Sequence, residues 1–184
     1  STDGGDTFTN MRSTTECIAG YSASGGGQGD YNFDFEVNPV NSNELYVCAH
    51  VIWRSTDAGV TWVKQQLTWS DYLHTDQHHI LFDPYVKGQL WNANDGGVWS
   101  NTANGTGAWT PKSDGIAATE IYHGAIGKTN RNLHYIGTQD NGGFYYNNGT
   151  FYNDRGGDYG PFMWFDYSGN FYSESDGSKR PYPT

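Results

Sequence analysis

Apolar and aromatic side chains come in short bursts along this chain, and each burst stops at a turn former. Glu44-Leu45-Tyr46-Val47-Cys48 and Gly88-Gln89-Leu90-Trp91 are typical, and Ile80-Leu81-Phe82 runs straight into Asp83-Pro84. Runs this short, bounded by Gly, Asn, Asp and Pro, predict β-strands joined by tight turns. The one helix-compatible window, about Ser113 to Ile121, is brief and falls between strand groups.

The bursts repeat. Asn38 corresponds to Asp83 (83 − 38 = 45), then to Gly127 (127 − 83 = 44) and Asp166 (166 − 127 = 39). Trp53, Trp99 and Tyr145 recur at 46 and 46, and the turns Asn94-Asp95-Gly96-Gly97 and Gln139-Asp140-Asn141-Gly142-Gly143 set Asp95 and Asp140 apart by 45. A period near 45 filled with short strands predicts an all-β fold, a β-propeller of four-stranded blades. The blades fall at 30–64, 76–112 and 120–152, with 1–16 as the end of one blade and 158–184 as another, interrupted after its second strand near Phe171-Tyr172. About four blades suggest a piece of a larger propeller, completed by the same polypeptide or by another chain.

A shorter motif recurs on this frame. Ser1-Thr2-Asp3-Gly4-Gly5-Asp6-Thr7-Phe8 and Ser55-Thr56-Asp57-Ala58-Gly59-Val60-Thr61-Trp62 both read Ser-x-Asp-x-Gly-x-x-aromatic, and Asn101 to Gly105 with Trp109 echoes them. Asp3 and Asp57 can accept hydrogen bonds from backbone N–H groups a few residues on. Gly5 and Gly59 supply a left-handed turn position, and Phe8 and Trp62 are expected to pack under the turn.

Composition narrows the setting. Charged residues make up 16% of the chain and aromatics 16%, with 25 glycines, a balance that suits an extracellular or cell-surface protein. Ten Lys+Arg against twenty Asp+Glu give a net charge of −10, which excludes the basic face a nucleic acid requires. No apolar run approaches the roughly 20 residues of a membrane span. Cys17 and Cys48 are either one disulfide or two thiols.

The two motifs, the Asp-Pro after an apolar strand, and the Asn94-Asp95-Gly96-Gly97 and Gln139-Asp140-Asn141-Gly142 turns together resemble the secreted BNR/Asp-box propellers. That superfamily includes sialidases, xyloglucanase-type glycoside hydrolases, the sortilin ectodomain and bacterial surface propellers without assigned activity. The resemblance is strongest to the last group, through the His-x-Asp-x-His segment at His74-Thr75-Asp76-Gln77-His78. It implies an architecture common to enzymes and binding proteins, so function rests on the site. The five arginines, Arg12, Arg54, Arg131, Arg155 and Arg180, are scattered rather than grouped as a sialidase requires.

Candidate chemistry gathers just before each inner strand, where the repeat places Asp30, Asp76, Glu120 and Asp158 at one mouth of the channel. A ring of four acids reads as a ligand site or as four separate strand caps. Asp76, flanked by His74, His78 and His79, and Asp158 form the candidate acid–base pair if the protein is a glycoside hydrolase. Asp30, His74, His78, Glu120, Tyr122 and Tyr159 are candidate ligand contacts, with Trp69, Tyr72 and Trp164 as further rings for sugar stacking or for packing. His74, Asp76 and His78 would share one face of an extended strand. Asp95 and Asp140, in glycine-rich turns, offer hard oxygens suited to calcium. The expected role is binding of a glycan or a surface protein at the channel-mouth loops; hydrolysis and a structural place in a large surface assembly are the alternatives.

Overall fold

The computed structural model describes residues 1, 3–9, 29–65, 73–116, 119–159, 163–173 and 179–180. It divides into two compact units, Ser1–Ile116 and Ala117–Thr184. The described residues are all-β and contain no helix. In the 113–121 window, Ile116 N donates to Ser113 O at 2.8 Å and closes a turn instead.

The first unit holds two antiparallel four-stranded meanders of the kind that forms a propeller blade. One runs β1 (Asp34–Val37), β2 (Leu45–Cys48), β3 (Ile52–Ser55), β4 (Val63–Lys64); the other runs β5 (Gln77–Phe82), β6 (Leu90–Asn94), β7 (Gly97–Asn101), β8 (Thr110–Pro111). The second unit repeats the plan with β9 (Ile121–Ile126), β10 (Leu133–Thr138), β11 (Gly142–Asn147) and β12 (Thr150–Arg155). Its last sheet has β13 (Met163–Phe165), β14 (Phe171–Ser173) and β15 (Lys179–Arg180). This corrects the expected interruption after two strands, because β15 pairs with β14 through Phe171↔Arg180 and Tyr172↔Lys179.

The period is visible as a repeated hydrogen bond. At the four repeat markers the backbone N–H closes the first hairpin of its sheet: Asn38 to Glu44 O (2.9 Å), Asp83 to Gln89 O (2.8 Å), Gly127 to Leu133 O (2.7 Å) and Asp166 to Asn170 O (3.0 Å).

The Ser-x-Asp-x-Gly turn closes the next hairpin but one. Ser55 Oγ accepts from Asp57 N and Gly59 N, and Asp57 Oδ1 accepts from Thr61 N at 2.8 Å. Trp62 Nε1 then donates to Gly59 O at 2.9 Å. The first copy forms the same bonds between Ser1, Asp3, Gly5 and Thr7, and the Phe8 ring lies over Gly5 as Trp62 lies over Gly59, though it is 81% exposed. In the third copy Asn101 does the work of both Ser and Asp. Its Oδ1 accepts from Ala103 N and Gly105 N, and its Nδ2 donates to Thr106 O and Ala108 O. In the second unit the equivalent turn has shrunk to Asn148-Gly149, with φ of 47° and 98° between the paired Asn147 and Thr150, a two-residue hairpin of the Asn-Gly type.

Between the two sheets of the first unit lies a core of Tyr46, Cys48, Ile52, Leu73, Ile80, Phe82, Leu90 and Trp109. Cys48 is a free, buried thiol, pushed up to about 12 by burial and then by the Asp34 charge; Cys17 lies outside the described residues. Tyr46 anchors the third-copy turn by donating to Asn104 O at 2.7 Å, and Gly105 is required there because a Cβ would lie 3.0 Å from its ring at φ 72°. Beneath this contact Glu44 accepts from Arg54 and Asn38 and shares the single Tyr46 O–H proton with Asn104 O. Burial alone would raise the Glu44 carboxyl, but these donors hold it below the usual carboxylate range. The second unit has its own core of Ala125, Leu133, Tyr135, Tyr159, Phe165 and Phe171.

Two outcomes test this account. Ser55→Ala removes a buried acceptor from two N–H groups and is expected to cost about 1–2 kcal/mol in denaturant unfolding. Because the folded Glu44 is more acidic than its unfolded value of 4.5, its contribution is complete above that pH and lost as pH falls below it. Glu44→Gln is therefore expected to lower stability at pH 7 by about 2 kcal/mol and to flatten the acid limb of a stability–pH curve.

Candidate functional site

A short backbone seam joins the first sheet of unit 1 to the second. Asp76 N donates to His50 O at 3.0 Å and Gln77 N to Ala49 O at 2.6 Å, just beyond the end of β2. This holds Asp76 in the left-handed region, φ 60°, a conformation that Asp adopts more readily than most side chains. Asp76 is thus not extended, and the expected single face for His74, Asp76 and His78 does not form.

Each of the three goes to a different partner. Asp76 Oδ1 pairs with His50 Nδ1 at 3.1 Å and accepts from Asn32 Nδ2 at 3.5 Å, while Asp76 Oδ2 accepts from Thr75 Oγ1 at 3.1 Å. His78 Nε2 meets Asp95 Oδ1 at 2.6 Å. The pairing between β5 and β6 slips between Gln77 and His79, so His78 is the extra residue of a β-bulge. Bulges re-aim side chains, and this one turns His78 toward Asp95. His74 lies against Gly96, where a Cβ would come within 2.5 Å of the His74 Cβ. His79 turns to Asp34 instead, whose carboxylate also accepts from Ile80 N at 3.0 Å.

The result is two histidine–carboxylate pairs at one end of the unit. A carboxylate only accepts, so the facing nitrogens of His50 and His78 carry protons. Carboxylate oxygens of Asp76 and Asp95 lie within 4.8 Å of each other. Half-burial keeps water from screening the four groups fully, with side-chain exposures from 15% for Asp95 to 35% for His78. Tyr31, 64% exposed, stands edge-on to His78 with ring centroids 5.2 Å apart.

Among the expected residues, Asp30 is an exposed turn residue, and Asn32, two positions on, is the member of that segment that reaches Asp76. Glu120, Tyr122, Asp140 and Asp158 belong to the second unit and come together there. Asp140 N donates to Asp158 Oδ1 at 3.1 Å, and Tyr122 is raised by partial burial and then by the charges of Asp158, Asp140 and Glu120. Tyr122 is the extra residue of the β9–β10 bulge, the place His78 holds in unit 1. Tyr159 is not a ligand platform: it is 4% exposed in the second core and donates to Ser173 Oγ at 3.0 Å. Trp69 and Tyr72 lie outside the described residues, and Trp164 stacks on Tyr172 at 5.3 Å. The expected pairs Asp76 with Asp158 and Asp95 with Asp140 each draw on both units.

His50 and Asn32 escaped the sequence reading. His50 had a signal, since it stands one period before Asp95 (95 − 50 = 45), itself one period before Asp140.

No protein-family model and no curated protein matches the chain. Solved structures do. A GH74 xyloglucanase from Xanthomonas campestris is 14% identical with a TM-score of 0.40, over 81% of this chain and 29% of that one. A GH74 enzyme of Niastella koreensis is 20% identical with a TM-score of 0.37, over 76% and 25%. YCF48 from Cyanidioschyzon merolae is 14% identical with a TM-score of 0.38, over 77% and 49%. The chain therefore spans under a third of the length of the two glycoside hydrolases and about half that of YCF48.

Proposed function

We propose that this chain is an extracellular β-propeller module that binds a glycan at the end of unit 1 where the two histidine–carboxylate pairs meet. The observation that carries the reading is the exposed Tyr31 ring beside His78, Asp95, Asp76 and His50. Sugar recognition needs a flat apolar surface for the ring's C–H face and planar polar groups for its hydroxyls, and this cluster supplies both side by side. The low share of charged residues and the abundance of aromatics support a secreted or cell-surface setting. A partner protein at the same loops is the other form of this reading.

Hydrolysis has one observation in its favour. Asp76 and Asp158 precede equivalent seams, since Tyr159 N donates to Thr138 O just as Gln77 N donates to Ala49 O. Each is a carboxylate of the kind that glycoside cleavage uses.

Affinity electrophoresis of the chain through plant and microbial polysaccharides, with mass spectrometry of the incubated glycan, separates these. Retardation by at least one polysaccharide is expected, weakened about tenfold in Tyr31→Ala through loss of a stacking contact worth about 1–1.5 kcal/mol. Asp76→Asn keeps the left-handed backbone, which Asn tolerates, and is expected to weaken retention with no change in products. Products that vanish in Asp76→Asn would replace binding by hydrolysis. Absence of both retention and products with every glycan would overturn both.

A further inference from the structure

At the far ends of β1 and β5 from the Asp76 seam, two hairpin turns enclose a cavity that the candidate site does not use. Asn38-Pro39-Val40 and Asp83-Pro84-Tyr85 stand one period apart and close alike. Asn38 Oδ1 accepts from Val40 N at 3.0 Å, and Asp83 Oδ1 accepts from Tyr85 N at 2.8 Å. Asp83 also takes Val86 N and Trp91 Nε1, and Asn38 Nδ2 donates to Glu44, so the polar side chains of both turns are engaged inward. Between the turns lies a cavity of about 330 Å³, lined chiefly by Pro39, Val40, Phe82, Pro84, Tyr85 and Lys87. Its size sits at the small end of the range for ligand pockets, and proline rings with turns braced from within make its walls rigid.

Two groups of this lining are unmatched among the described residues. Tyr85 is 93% exposed, its ring stacks on no other ring, and its hydroxyl makes no hydrogen bond; Lys87 makes neither a hydrogen bond nor an ion pair. The second unit fills the corresponding place with its own side chains. There the turns begin at Gly127 and Asp166, a Cβ on Gly169 would lie 3.7 Å from Thr129 Oγ1, and the Lys128 ammonium stands 4.3 Å from the centroid of the Tyr167 ring. Unit 1 keeps a tyrosine and a lysine at its turns but leaves them unpaired at an open cavity.

We infer that this cavity binds a small aromatic carboxylate, its ring against Tyr85 and the prolines and its carboxylate on Lys87. A flat apolar body removes the Tyr85 face and the proline rings from water together, and an anion matches the one uncommitted cation. A sugar ring matches less well, because its hydroxyls need several polar partners and those of Asn38 and Asp83 are already taken. The net charge of −10 also favours a single carboxylate over a polyanion. This inference does not rest on the glycan reading, since the residues concerned lie at opposite ends of β5.

The test is titration of the isotope-labelled chain with naphthoate, followed by amide chemical shifts. Saturable shifts are expected at Val40, Tyr85, Lys87 and Gly88, with a dissociation constant of about 1 mM, the affinity that ordinary ligand efficiency gives a molecule of this size. Lys87→Gln is expected to weaken binding about fivefold, the scale of an exposed ion pair, to the level of uncharged naphthalenemethanol on wild type. Tyr85→Ala is expected to weaken it about tenfold. Acetate and glucuronate, which carry the charge without the aromatic ring, are expected to leave these amides unshifted. The inference is overturned if naphthoate shifts none of these amides, if Lys87→Gln binds as tightly as wild type, or if glucuronate binds as well as naphthoate. Should either variant lose its folded spectrum, naphthoate against naphthalenemethanol on wild type decides. Tyr31→Ala is expected to bind naphthoate unchanged, so failure of the glycan reading and failure of this one are told apart.

Discussion

Everything at the candidate site depends on how one meander is joined to the next. Strands within a sheet share a ladder, and among the described residues the two sheets of unit 1 are joined through the backbone by the seam of Asp76 N to His50 O and Gln77 N to Ala49 O. Side chains extend it: Asp34 and Glu36 of β1 accept from Ile80 N and Phe82 N of β5, at 3.0 and 3.1 Å. These carboxylates satisfy amides on the inner edge of β5, which has no neighbouring strand on that side, and an unmet buried N–H is costly. The seam also fixes Asp76 in a left-handed conformation beside His50. The same bonds that join the sheets therefore create the polar cluster.

Repetition in this protein preserves roles more strictly than residues. A Ser and an Asp share the turn at residues 55–61, one Asn performs both parts at residue 101, and Asn148-Gly149 replaces the whole device with a two-residue turn. All three solve one problem, closing a hairpin without orphaned backbone groups. The bulge is likewise kept while its cargo changes, presenting His78 in one repeat and Tyr122 in another. A bulge costs ladder pairing and re-aims a side chain, so its recurrence at the same place marks that end of each sheet as the one open to variation.

What the sequence determined by itself was local. Strand bursts, the turns at Asp57 and Asn101, and the period were legible because alternation and turn chemistry act over a few residues. The hairpin markers Asn38, Asp83, Gly127 and Asp166 fell where the structure closes its hairpins for the same reason. Asp76 and His78 stood out because polar side chains crowd a segment next to an apolar strand.

Only the tertiary structure decided the partners. That Asp76 meets His50 depends on a seam between residues 26 positions apart, and that His78 meets Asp95 depends on a one-residue slip in a ladder; neither leaves a trace in composition. Tyr159 misled for the complementary reason, since its polar, glycine-rich neighbours suggest a surface loop while its ring fills the second core. A side chain's fate is set by what the other sheet presents to it, and that is a property of packing rather than of sequence.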